Sequence, residues 1–212
     1  MEFSNSPITF IIMGITIATS LLAESNPAIK DKLMFTPYLV KREKDYLRFI
    51  SGGLIHGGFF HLFINMFVLY FFGTAIEMTF GLIWGAQGSL MYVVLYLLGL
   101  IASGLPSYFK HQDHSYYRAL GASGAVSSVM YAYILFYPME YIYLYGIIGM
   151  PSVLFGILYL IYEFYAGKKQ FQDGIGHDAH FWGAVFGFVF PLIFRPGLIG
   201  LFIEEITDAF AL

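Results

Sequence analysis

The chain contains no cysteine. Disulfides, thiolate metal sites and a thiol nucleophile are therefore excluded. Charge is scarce as well: Asp, Glu, Lys and Arg make up 12% of the 212 residues, against roughly 25% in soluble domains. With 58% of residues hydrophobic, that deficit points to a membrane rather than to water. The net charge is −3 and no basic run stands out, so the clustered positive field that nucleic-acid binding needs is missing. No positive segment precedes the first apolar stretch and no A-x-A site follows it, so residues 1–23 are expected to be a retained membrane segment rather than a signal peptide. No period of 20 to 50 residues suggests a solenoid, and a single domain over residues 1–212 is expected.

What the chain does have is apolar stretches, several of which reach or approach the ~20 residues that a spanning helix needs. The first runs over residues 7–23. Residues 28–48 follow with six of the eleven Lys and Arg, a connector that reads as water-exposed or interfacial, with structure of its own. Glycines at 52, 53, 57 and 58 delay the second helix to residues 59–77, each glycine costing roughly 1 kcal/mol inside a helix. A turn at 79–81 leads to a third helix over 82–105, and 106–118 read as a polar loop. The fourth helix covers 119–137 and stops at Pro138. Residues 139–149 carry no clear state. Pro151 opens a fifth helix to 166, 167–178 form a polar loop, a sixth helix covers 179–194, and 198–212 read as a short acidic tail. The expected fold is an all-α membrane protein, a compact bundle of six transmembrane helices.

Consecutive spans alternate direction, so the second, fourth and sixth helices begin on one side of the membrane. Near those three starts stand His61, Ser123 and His180, and Asn65 lies one turn below His61 on the same face. Polar side chains at such depth are costly unless they meet partners or water, which makes the cluster a candidate functional site. Ser123 sits in Gly121-Ala122-Ser123-Gly124, a hydroxyl clear of bulky neighbours. A serine attacks only when a base takes its proton, and His180 is the base at matching depth. His61, Asn65 and the Ser123 backbone N–H are candidate donors to an oxyanion. Gly183 and Gly187 after His180, with Gly124, Ser127 and Ser128 after Ser123, form small-residue faces that allow close helix approach.

Three motifs in order, His56-x-x-x-x-His61-x-x-x-Asn65, Gly121-x-Ser123-Gly124 and Ala179-His180-x-x-Gly183-x-x-x-Gly187, closely resemble the rhomboid family of intramembrane serine proteases. The resemblance covers residues 48–194. It implies a catalytic Ser123–His180 dyad, an oxyanion and substrate site lined by His61 and Asn65 with His56 and Gly121 beside it, a partly embedded first loop, and a structural role for Glu77. Two positions depart from the family pattern. Leu47-Arg48 stands where Trp-Arg is usual, and Ser127 stands where an aromatic often packs under the histidine, a place that Tyr131 or an aromatic from another helix would have to take.

Other polar residues are read more plainly. Asp178 lies about 200° around the helix from His180 and does not orient it, which leaves a dyad rather than a triad. His177 and His180 lack a third metal ligand, so no metal or cofactor is expected. His111 and His114 are expected to be solvated loop residues, and Glu163 an interfacial anchor.

The resemblance implies an endopeptidase whose partners are single-pass transmembrane substrates and membrane lipids, in the cytoplasmic membrane of a bacterium. The alternative is an inactive relative that binds transmembrane helices without cutting them. Because the base acts as neutral imidazole, activity is expected to rise with pH and then level off. Orientation is contested: ten of the eleven Lys and Arg lie in connectors on the active-site side, which the positive-inside rule would turn toward the cytoplasm, opposite to the family's usual arrangement. The family orientation is adopted.

Overall fold

The computed structural model describes residues 6–144, 146–169 and 173–211. It is almost entirely helical: α1 (Pro7–Ser25), α2 (Pro27–Leu33), α3 (Pro37–Glu43), α4 (Arg48–Ser51), α5 (Phe59–Val68), α6 (Thr74–Trp84), α7 (Gly88–His111), α8 (Ser123–Phe136), α9 (Ser152–Lys169), α10 (His177–Phe194) and α11 (Leu198–Phe210). Between α8 and α9 a hairpin pairs β1 (Tyr141–Leu144) antiparallel with β2 (Ile148–Pro151), in the register Tyr141 to Pro151 and Leu144 to Ile148.

A single π-helical turn, Leu69–Gly73, joins α5 to α6. Thr74 Oγ bonds back to the carbonyls of Tyr70 and Phe71 there. Gly73 is a required close approach, because a Cβ would stand 2.6 Å from the Tyr92 hydroxyl of α7 and 2.9 Å from Thr9 of α1. One turn later the buried Glu77 accepts hydrogen bonds from the Ile8 and Thr9 backbone N–H groups at 2.8 and 2.7 Å and from the Thr9 hydroxyl at 2.7 Å. A carboxylate from another helix thereby caps the open N–H groups of α1.

The turn between the second and third long helices lies at Gly85–Gln87, not at residues 79–81. Thr79 is satisfied inside the helix by the Ala75 carbonyl at 2.8 Å and by the Tyr137 hydroxyl at 2.7 Å, whereas Gly85 takes the φ of +56° that ends α6. The arms then fold back on each other, since a Cβ on Gly88 would meet the Phe80 carbonyl oxygen at 2.5 Å. Helix α7 also continues through Pro106 to His111, where the sequence suggested a loop. The supposed tail is the helix α11, set at 114° to α10. Its strong one-sided apolarity suits a membrane surface.

The first connector folds into α2, α3 and α4, each of the first two opened by a proline. Arg48, grouped above with exposed charges, is buried: it bonds Asp45 at 2.8 Å and donates to the carbonyls of Asp31 and Met34.

Among the described residues, the helical stretches Pro7–Ser25 and Phe59–His111 are long and apolar enough to cross a membrane, and α10 with α11 meets the same measure when the bent pair is taken as one span. Helix α8 lies inside the molecule, with eleven of its fourteen residues buried. It packs between α7 and α10, and Leu95, Tyr96 and Leu100 of α7 share the core with Ala125 and Val129.

Candidate active site

The segment ahead of α8 is tied down residue by residue. Ala119 exchanges both backbone hydrogen bonds with Phe35, each at 2.9 Å, and Gly121 N–H donates to the Gly52 carbonyl at 2.9 Å. Ala122 N–H donates to His56 Nε2 at 3.2 Å. Because that nitrogen accepts, His56 carries its proton on Nδ1 and donates to Ser20 Oγ at 3.0 Å, and the Ser20 hydroxyl donates in turn to the Leu54 carbonyl at 3.0 Å. His56 thus links α1, its own connector and the chain entering α8. Burial, with the His61 ring beside it, lowers its pKa to about 4.

Gly121 adopts φ +118°, and a Cβ on it would lie 2.7 Å from His61 Cε1. Both facts call for glycine there. His61 therefore sits directly against the turn into Ser123, and its Nδ1 accepts from Gly57 N–H at 3.4 Å. Asn65 is buried one turn below and donates from its amide to the His61 carbonyl at 2.9 Å. The N-terminus of α8 has no side-chain cap, so its first N–H groups, that of Ser123 included, keep no partner within the helix.

Helices α8 and α10 run parallel with backbone against backbone. A Cβ on Gly183 would stand 2.1 Å from the Gly124 carbonyl oxygen, and one on Gly187 would stand 1.9 Å from that of Ser128. Ser128 Oγ closes the contact by bonding the Gly183 carbonyl at 2.9 Å. Gly124 faces Gly183, so Ser123 and His180 differ in depth by two residues, about 3 Å along the axis. Ser123 Oγ and His180 Nε2 make no hydrogen bond to a described residue.

His180 is held from α9. Its Nδ1 lies 3.0 Å from Glu163 Oε1, and its ring stacks on Tyr159 with centroids 6.4 Å apart and planes 23° off parallel. The Tyr159 hydroxyl is fixed by Ser127 Oγ at 2.9 Å. The serine that replaces the expected aromatic thus anchors an aromatic arriving from another helix, and the Tyr131 ring lies tilted against it with centroids 5.9 Å apart. The second oxygen of Glu163 meets His177 Nδ1 at 2.6 Å, and His177 Nε2 meets Asp173 at 3.1 Å. Asp178 turns instead toward Lys110, 3.6 Å away.

Glu163, His177 and Tyr159 were not singled out as partners of His180 by the sequence. A signal for two of them exists: Gly156, Tyr159, Glu163 and Ala166 recur at helical spacing, and Gly156, Glu163 and Ala166 are buried. A glutamate on the inward stripe of an apolar helix is not an interfacial anchor. Among the described residues no group of three or more His, Asp or Glu is arranged to hold a metal ion.

The Rhomboid domain model matches residues 43–197. A curated protein of Arabidopsis thaliana, RHOMBOID-like protein 12, mitochondrial, is 32% identical over 145 residues, which cover 64% of this chain and 42% of that protein. The chain therefore spans about two-fifths of that relative's length.

Proposed function

The chain belongs to the Rhomboid family, and from that premise we propose that it is an intramembrane serine endopeptidase in which Ser123 is the nucleophile and His180 the base. The observation that carries the reading is the contact of α8 with α10 through Gly183 and Gly187, which leaves Ser123 and His180 at neighbouring depths on touching backbones. That the two side chains make no direct hydrogen bond here is compatible with this reading, because catalytic hydrogen bonds often tighten only in the substrate complex.

In this reading α1, the α5–α6 arm, α7, α8, α9 and α10 each cross the bilayer, and α2 to α4 lie partly embedded at the active-site end. Helix α8, about 21 Å long at 14 residues, is shorter than the ~30 Å hydrocarbon core. Its first residue therefore lies below the membrane surface, at the bottom of a space that water reaches from one side. A substrate's single transmembrane segment supplies an unwound peptide to that space, since a peptide bond inside a helix is shielded.

Ser123 Oγ attacks the carbonyl carbon while its proton passes to His180. The oxyanion meets the Ser123 N–H, with His61 and Asn65 beside it. His180 then protonates the departing amine as the C–N bond breaks, and water releases the acyl group by the reverse transfer. No cofactor enters. The protein is an integral membrane protein; its placement in a bacterial cytoplasmic membrane follows the resemblance, and the named relative is a mitochondrial protein.

A second reading, a family member that holds transmembrane helices without cutting them, is favoured by the lack of a direct Ser123–His180 bond. Cleavage of a model transmembrane substrate by the purified chain in detergent separates the two. The protease reading expects wild-type cleavage that Ser123→Ala and His180→Ala both abolish, and fluorophosphonate labelling of Ser123. Binding of the peptide with neither cleavage nor labelling selects the second reading.

A further inference from the structure

Most of the polar groups buried in this molecule have evident structural work. Glu77 caps α1, Arg48 gathers the first connector, and Ser20 and His56 fix the strap ahead of α8. Glu163 stands apart, because it is a carboxylate on an apolar helix, 4% exposed, and both of its oxygens are committed to histidines.

We propose that Glu163 is a positioning residue for His180: it accepts the Nδ1 proton, and so fixes the tautomer whose Nε2 lone pair is available to Ser123. The inference rests on the protease reading above, and it turns the expected pair of residues into a set of three whose third member comes from α9. Neutral imidazole has one N–H and one lone pair. A carboxylate oxygen 3.0 Å from Nδ1 selects Nδ1–H, because a carboxylate only accepts. When Nε2 takes the Ser123 proton the ring becomes a cation, and the charge of Glu163 lies beside it with no movement needed. Glu163 takes up no proton in the cycle. Tyr159 completes the support by fixing the tilt of the ring, while Glu163 fixes its rotation.

A buried carboxylate must itself be compensated to remain ionised. His177 supplies that compensation. Its two ring nitrogens face Glu163 at 2.6 Å and Asp173 at 3.1 Å, and both contacts are satisfied together when His177 is an imidazolium that donates from each. Asp173, in the connector ahead of α10, is kept below the ordinary carboxyl range by the Ile175 N–H and by the His177 ring. The chain Asp173–His177–Glu163–His180 thus runs from the surface to the base, alternating acceptor and donor with every contact complete.

The test compares the wild type with Glu163→Gln in the full chain in detergent, using a model transmembrane substrate. The amide fits the same space but offers an N–H as readily as an oxygen to Nδ1, so the tautomer is no longer selected. The expected result is a fall in kcat of at least about tenfold with KM within about threefold. A smaller fall, with wild-type cleavage intact, overturns the role of Glu163 and leaves the protease reading standing. Loss of cleavage in the wild type as well sinks the protease reading instead. The positioning role is then judged by NMR of histidine-labelled protein at neutral pH, where His180→Asn identifies the signal. A low-field Nδ1 proton on His180 that Glu163→Gln removes supports it, and its absence from the wild type or persistence in the variant overturns it.

Discussion

Ser127 and Tyr159 are joined hydroxyl to hydroxyl at 2.9 Å, and through this bond a residue of α8 decides where an aromatic of α9 sits under the His180 ring. Ser127→Phe, which puts an aromatic where the family often has one, should drive a second ring into the space that Tyr159 fills. Overpacking of this kind costs about 1 to 3 kcal/mol, and the displaced His180 should lower kcat by about tenfold or more. Adding Tyr159→Ala should recover most of the loss, since one ring then occupies one site. Rates and SDS-unfolding midpoints for the two single variants and the double variant form the cycle. Strict additivity would show that the two positions do not share the site.

Gly183→Ala places a methyl 2.1 Å from the Gly124 carbonyl oxygen. Backbone cannot yield as a side-chain tip does, so α10 must move away from α8. On the protease reading, a shift of about 1 Å between Ser123 and His180 should lower the rate about a hundredfold. Gly197→Ala, where a Cβ meets no atom within 4 Å, serves as the control. The measurement is substrate cleavage beside thermal stability, and a Gly183→Ala protein as active as the control would refute the contact.

His56 gives the fold a dependence on acid. Its folded pKa is lowered from 6.5 to about 4 by burial and by His61. Above 6.5 neither the folded nor the unfolded form carries the proton, and the contribution is whole. As pH falls below 6.5 the unfolded chain binds a proton that the folded chain refuses, and stability drops by up to about 1.4 kcal/mol per pH unit until the folded ring protonates near 4. A His56→Gln variant should lose less stability than the wild type between pH 7 and pH 5, as read by unfolding midpoints. Equal losses in the two proteins would place the acid sensitivity elsewhere.

The parts of this structure that could be read from the sequence are those written on one element at short range. His61 with Asn65, Gly121 with Ser123, and His180 with Gly183 and Gly187 are each a few residues long, and helical spacing alone gives their faces. Alternating direction then predicts that the three starts share one end, as the contact of His61 with Gly121 and of Gly124 with Gly183 bears out. The support of His180 was not legible, because it depends on how α9 is rotated about its own axis. A lone glutamate and one tyrosine among many aromatics look alike whichever way that helix turns. The turn at Gly85–Gln87 was misplaced because Gly81 resembles a breaker equally well, and only a positive φ separates the two. The hairpin after α8 was hidden by length: four-residue strands leave too short an alternation to be told from an apolar helix end.

The contact of α8 with α10 has a further meaning for a protein in lipid. Where two helices meet through side chains, their separation drifts with rotamers, temperature and the pressure of the surrounding acyl chains. At Gly183 and Gly187 nothing lies between the backbones to drift. The spacing there is set by the radius of a carbonyl oxygen against a Cα, a fixed gauge. A membrane that thickens, thins or changes fluidity will alter the outer helices before it alters this pair, so the tolerance at Ser123 and His180 is insulated from the bilayer that contains them.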